Sequence, residues 1–210
     1  MLMATLIGDV VASRGARDRA VLHDRLTELL ARVNDTCAPT TSLRITVGDE
    51  FQGTFATVGQ ALQASLRLRV GLMPEHDMRH GIGWGEVSVL QEDPRVEDGP
   101  GWWAARDAIH EVQQAQEHPA SRYRSTAYRP AVETTGPDRH LVDATLALRD
   151  AAVGGLSDRS ASVLRALLSG QTQREIAEAL GISPSAVSQR VRGDGLAALV
   201  AADESLGRVS

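Results

Sequence analysis

RITVGDEFQGTF, residues Arg44–Phe55, is the stretch on which the fold turns. Leu43, Ile45 and Val47 fall on one side of an extended chain, and Arg44 and Thr46 on the other. That period of two marks a half-buried strand. Gly48 and Asp49 break the alternation, and Phe51–Phe55 resumes extended character. The spacing predicts a β-hairpin whose tight end presents Asp49 and Glu50. Two adjacent carboxylates at a strand turn repel unless something neutralises them, and a divalent cation that prefers hard oxygen ligands would do so. A plain Gly-Asp hairpin turn is the competing reading of the same residues.

The N-terminus bears on that choice. Met1–Gly8, MLMATLIG, suits a buried central strand, and it runs into Asp9. The end of a buried strand is where α/β sheets place their ligands. If this strand and the hairpin are neighbours, Asp9 and Asp49 converge. The pair can then hold Mg²⁺ or Mn²⁺ and leave positions open for phosphate oxygens.

Outward from these strands, Leu22, Leu26, Leu29, Leu30 and Val33 recur at helical spacing, and a connector spans Asn34–Thr41. A second helix is expected over Thr57–Leu72, with Val58, Leu62, Leu66 and Val70 on one face, closed by Pro74. Asp77–Leu90 reads as one long strand with Gly81, Gly83 and Gly85 at alternate positions. Such a face, stripped of side chains, admits either a closely packed helix or a ligand. Gln91–Gly101 reads as an acidic loop, Trp102–Gln116 as helix, Arg122–Tyr128 as a last strand and Pro137–Val153 as a further helix. Gly154 and Gly155 read as a stop and a hinge. The fold class expected is α+β. A ferredoxin-like βαββαβ sheet domain over 1–135 has its hairpin joining two central strands. A linker helix with its Gly hinge follows over 136–155, and an all-α domain over 156–210.

A chain of 210 residues, 42% hydrophobic and 23% charged, can build one moderate core, or a domain with a small appendage. All 22 basic residues are arginine, and the net charge of −5 gives no general surface for polyanions. The single Cys37 excludes an intramolecular disulfide and a cysteine-based zinc site. No apolar run is long enough to span a bilayer. Met1–Val11 lacks a basic flank and a cleavage motif, so a cytoplasmic protein without a membrane partner is expected.

Four segments together, IGDVVASR, VGDEFQGTF, RHGIGWGEV and EDGPGWWAARDAI, resemble the SatD family. That family in turn resembles the nucleotide-cyclase and GGDEF-domain superfamily. The resemblance covers about Met1–Tyr128. It implies a cyclase-like fold, with Asp9 and the Gly48–Asp49 turn as the metal-binding positions. It also implies a ligand site that includes Gly48, Arg79 and Arg106, to which the hairpin reading adds Glu50. Two departures stand out. Cyclases place an asparagine four residues before the arginine that matches Arg106, where this chain has Trp102, and they use a base-selecting lysine, of which this chain has none. The resemblance therefore implies a site that binds a nucleotide or metal without cyclising it.

Residues 156–210 differ in texture. TQREIAEALGISPSAVSQRV, from Thr172, places Ala177 where two helices touch, Gly181 in a turn, and Val187 and Val191 inward. This is helix-turn-helix spacing, similar to sigma-factor region 4 and related DNA-binding modules. On this reading Ser185, Ser188, Gln189 and Arg192 project outward. Gln189 and Arg192 suit base edges, while Thr172, Ser183, Ser185 and Arg190 suit phosphates. A helical hairpin used only for oligomerisation is the alternative. Arginines and acids are equal in number over 156–210, which is low for a DNA binder and favours two copies acting together. The leading expectation is a homodimeric DNA-binding transcription regulator whose cyclase-like domain senses a ligand or mediates dimerisation. A divalent-metal nucleotidyl cyclase, or a related phosphoryl-transfer enzyme, comes second. A non-catalytic interaction scaffold is the third reading.

Overall fold

The computed structural model describes residues 1–13 and 18–210. Its N-terminal elements are β1 (Leu2–Val10), α1 (Arg19–Cys37), β2 (Thr41–Val47), β3 (Glu50–Phe55), α2 (Val58–Leu72) and β4 (Met78–Glu86). Then come β5 (Ser88–Glu92), β6 (Arg95–Asp98), α3 (Pro100–Glu117), β7 (Thr126–Pro130) and α4 (Arg139–Gly154). Four helices end the chain: α5 (Asp158–Leu168), α6 (Gln173–Leu180), α7 (Pro184–Gly193) and α8 (Leu196–Leu206).

Five strands form one mixed sheet in the order β2-β3-β1-β4-β7. β1 pairs antiparallel with β3 and β4, and β7 is added parallel to β4. The first six elements thus form the βαββαβ unit expected from the sequence. One detail differs: the hairpin joins the edge strand β2 to β3, not two central strands, and only β3 lies against β1. Both faces of β1 are covered, which explains its apolar run. Ala4, Leu6 and Val10 join the cluster under α1 and α2, while Met3 and Ile7 pack with Trp102, Ala105 and Ile109 of α3.

The alternate glycines of β4 serve helix packing. A Cβ at Gly81 would lie 2.2 Å from the Ala105 carbonyl oxygen of α3. Of the two sequence readings for that stripped face, close approach of a helix is the one realised. The expected long strand and acidic loop are also revised. β4 ends at Glu86, and residues 88–98 form a separate two-stranded hairpin, β5-β6.

α2 is the most enclosed helix. Thr57 and Gln60 form a reciprocal capping box at its start. One side, with Val58, Leu62 and Leu68, belongs to the sheet core. The other side supplies Leu66 and Val70 to a second cluster with Val163, Leu164, Ile176, Val187 and Leu199 of the C-terminal helices. The chain end returns to the start of α2, where Gly59 N–H donates to the Val209 carbonyl at 2.8 Å. α4 does stop at the expected glycines, yet α5–α8 dock on α2 instead of swinging free beyond them.

His80 of β4 is fully buried beside Phe51, their ring centroids 6.0 Å apart, and neither ring nitrogen has a hydrogen-bond partner. Burial, then the nearby Arg149 and Arg69 charges, hold its pKa well below 6.5. The folded chain therefore keeps His80 neutral where the unfolded chain protonates it. Stability is full above the unfolded value and falls as pH drops through about 6.5, by up to ~1.4 kcal/mol per pH unit for this group. His80→Met should flatten that slope. Urea midpoints at pH 7.5 and 5.5 for both proteins check it, and an unchanged slope would clear His80.

Candidate functional site

Asp9 ends β1, and the β2–β3 turn brings Asp49 to the same end of the sheet. Gly48 makes the turn possible: its φ of 65° is in the left-handed region, which costs glycine little. Asp49 Oδ2 accepts a 3.1 Å hydrogen bond from Val10 N–H, one residue beyond Asp9. The two carboxylates line one cleft of about 410 Å³, with Ala12, Ser13, Glu50, Arg79 and Gln113.

Cations already answer these carboxylates. Arg79 Nε sits 3.4 Å from Asp9 Oδ1, and Gln113 Nε2 donates to Asp9 Oδ2 at 3.2 Å. Arg106 grips Glu50 bidentately at 2.7 and 2.9 Å. The neutralisation that the sequence assigned to a metal is thus supplied in part by two arginines expected to face a ligand. Burial, the largest cause, raises the pKa of Asp9; Arg79 and Gln113 work against it, and Asp49 and Glu50 add to it. Arg106, the largest cause for Glu50, holds that carboxyl below its ordinary range. Asp9 Oδ1 is buried and makes no hydrogen bond, and its charged neighbour is Arg79 at 3.4 Å.

Among the described residues no group of three or more His, Cys, Asp or Glu side chains is arranged to hold a metal ion. Two carboxylates still fit Mg²⁺ or Mn²⁺, because these ions commonly take one or two carboxylates and complete their shell with water and phosphate. Gln113 was missed by the sequence reading. It stands seven residues after Arg106, on the same face of α3, and that spacing was its only signal. Trp102, read as a substitute for a nucleotide-contacting residue, is instead buried with Met3, Ile7 and Val87.

The C-terminal residues form a second group. Ser185, Gln189 and Arg192 lie along one exposed face of α7, and Ser188 and Arg190 are half-buried. Two hydroxyls expected to meet phosphate are engaged locally: Thr172 caps α6 with Glu175, and Ser183 accepts from Ala186 N–H at the start of α7. Gly181 ends α6 with φ 62°, and Ala177 is buried between the helices as its size suggested. No helix among the described residues is long and apolar enough to cross a membrane.

Comparison with curated proteins finds no match. Among solved structures, a bacterial light-regulated adenylyl cyclase is similar at 13% identity and TM-score 0.45, over 54% of this chain and 40% of that one. The monomeric guanylyl cyclase domain of the RhoGC fusion protein from the aquatic fungus Blastocladiella emersonii is 12% identical, with TM-score 0.44, over 52% and 74%. The adenylyl cyclase CyaB from P. aeruginosa is 13% identical, with TM-score 0.36, over 50% and 69%. The model of the SatD family matches residues 3–204, nearly the whole chain, and the chain belongs to that family.

Proposed function

We propose that the Asp9–Asp49 cleft binds a divalent cation together with a phosphate-bearing ligand of the nucleotide class. One observation carries this: Asp9 and Asp49, at the ends of adjacent strands, line one cleft at the same end of the sheet, and Asp9 Oδ1 makes no hydrogen bond there beyond its 3.4 Å ion pair with Arg79. Asp9 and Asp49 hold the cation, and Arg79 swings from Asp9 toward phosphate as the cation takes its place. A bound Mg²⁺ or Mn²⁺ would supply positive charge to phosphate oxygens. Glu50 keeps Arg106 fixed across the cleft. Because the cation binds only the folded chain, millimolar Mg²⁺ or Mn²⁺ should raise Tm, by about 2–4 °C for each kcal/mol of binding. Asp49→Asn keeps the oxygen that accepts from Val10 N–H and should lose the metal response. A metal response that survives Asp49→Asn sinks the assignment. Incubation with Mn²⁺ and mixed nucleotides, read by mass spectrometry, then separates a binding site from a cyclase: a cyclic product marks catalysis, and a bound but unchanged nucleotide marks sensing.

A second reading concerns DNA, and the exposed row Ser185, Gln189 and Arg192 on α7 favours it. Two copies of α7 on a two-fold axis would meet successive half-sites. Arg192→Ala should weaken a gel shift of the chain's own upstream DNA by about 1–3 kcal/mol. Unchanged affinity in a folded variant rules out α7 as the reading helix.

A further inference from the structure

Away from the cleft, α1, α2 and α5 enclose a half-open cavity of about 120 Å³. Each helix sends one arginine to its wall: Arg32, Arg67 and Arg165. Leu29, Val33, Val70 and Leu168 make the remainder largely apolar, and no carboxylate lines it.

The three guanidiniums are held differently. Arg165 Nε donates to the Val70 carbonyl at 2.8 Å and its Nη2 to the Met73 carbonyl, so its head is fixed at the C-terminal end of α2. It makes no ion pair among the described residues. Arg67 Nη1 is bound to the Gln63 carbonyl and, at 2.9 Å, to Asp203. Arg32 reaches only the exposed Glu28, at 4.0 Å. Burial, the largest cause, lowers the pKa of Arg165; Glu75 opposes this, and Arg25 and Arg32 add to it. Asp203 thus answers the Arg67 charge, while the Arg165 head is held by uncharged carbonyl oxygens and Arg32 stands at the rim.

We propose that this cavity is a binding site for a small organic carboxylate with an apolar body, lodged where the sheet domain meets the C-terminal helices. A planar carboxylate matches guanidinium donors two at a time, and a buried apolar body covers the leucine and valine floor. At about 120 Å³ the cavity is smaller than the roughly 150 Å³ that encloses benzene, so its half-open mouth takes the outer part of any ring and one phenyl ring is the upper limit. Bound there, the ligand joins α1 and α2 to α5 and stiffens the seat of the last four helices.

The test uses the full chain and 4-fluorobenzoate, followed by ¹⁹F NMR and calorimetry, with butyrate, 4-fluorobenzamide and inorganic phosphate as comparisons. Saturable 4-fluorobenzoate binding is expected, with the neutral amide and phosphate at least about tenfold weaker, as a charge-assisted hydrogen bond predicts. Arg32→Ala removes an exposed rim charge and should weaken binding severalfold, and Ser169→Trp, at the mouth, should block it. No saturable binding of either carboxylate overturns the proposal. So does an amide or phosphate that binds as tightly, or carboxylate affinity unchanged in Arg32→Ala. Arg32→Ala alters a surface side chain, so it decides the matter even if Ser169→Trp disturbs the fold.

Discussion

Gly83→Ala is expected to cost about 3 kcal/mol or more, enough to leave much of the chain unfolded. A Cβ at Gly83 would lie 2.1 Å from the Gly101 carbonyl oxygen and 2.5 Å from Ala105 N, both backbone atoms of α3. Backbone cannot turn aside as a side chain can, so the whole helix must lift from the sheet. Lifting it uncovers Ile7 and Ile109 and pulls Gln113 away from Asp9. Gly193→Ala is the control: its added carbon meets nothing within 4 Å, and it should stabilise α7 by up to ~1 kcal/mol. Urea midpoints measure both. Equal midpoints for Gly83→Ala and the parent would mean that α3 does not sit this close.

Asp150→Ala should be as damaging for an electrostatic reason. Asp150 Oδ2 accepts from Ser125 N–H and Thr126 N–H, both at 2.8 Å, and Oδ1 accepts from Arg69 Nη1 at 3.3 Å. Arg149, also buried, lies 3.7 Å from that oxygen and binds the Leu62 carbonyl, Ser65 and Thr126. Removing the carboxylate leaves two buried guanidiniums facing each other, with Asp77 on Arg69 and the more distant Asp203 near Arg149 to answer them. Breaking a buried pair in this way costs about 3–5 kcal/mol. Asp150→Asn keeps an acceptor for the strand N–H groups and should fall between. In a double-mutant cycle, Arg149→Met should recover part of the Asp150→Ala loss, because it removes one stranded charge. Strictly additive losses would show that the two side chains do not interact.

Regular patterns with one buried face were legible in the sequence. The helical spacing of Leu22–Val33 and the alternation through Leu43–Val47 led to α1 and β2, and Asp9 and Asp49 were correctly placed at one strand end. The β5-β6 hairpin escaped because no residue in it is buried, so no hydrophobic period exists to detect. The partners of Arg79 and Arg106 were equally hidden. Nothing local distinguishes an arginine that awaits a phosphate from one that grips Glu50 across 56 positions of chain. Gly154–Gly155 looked like a joint because flexibility is a property of the dipeptide, whereas docking on α2 depends on Leu66 and Val70, far upstream.

That docking has a consequence for how a signal would travel. A tethered module reports on its neighbour through the reach of its linker, and a rigid one through angle. With α2 serving as floor to one layer and wall to the other, any tilt of this helix would be carried over to α5 and α8 and would change the direction in which α7 points. The readout of such a coupling would be orientation, with its gain set by the stiffness of a single helix of 15 residues.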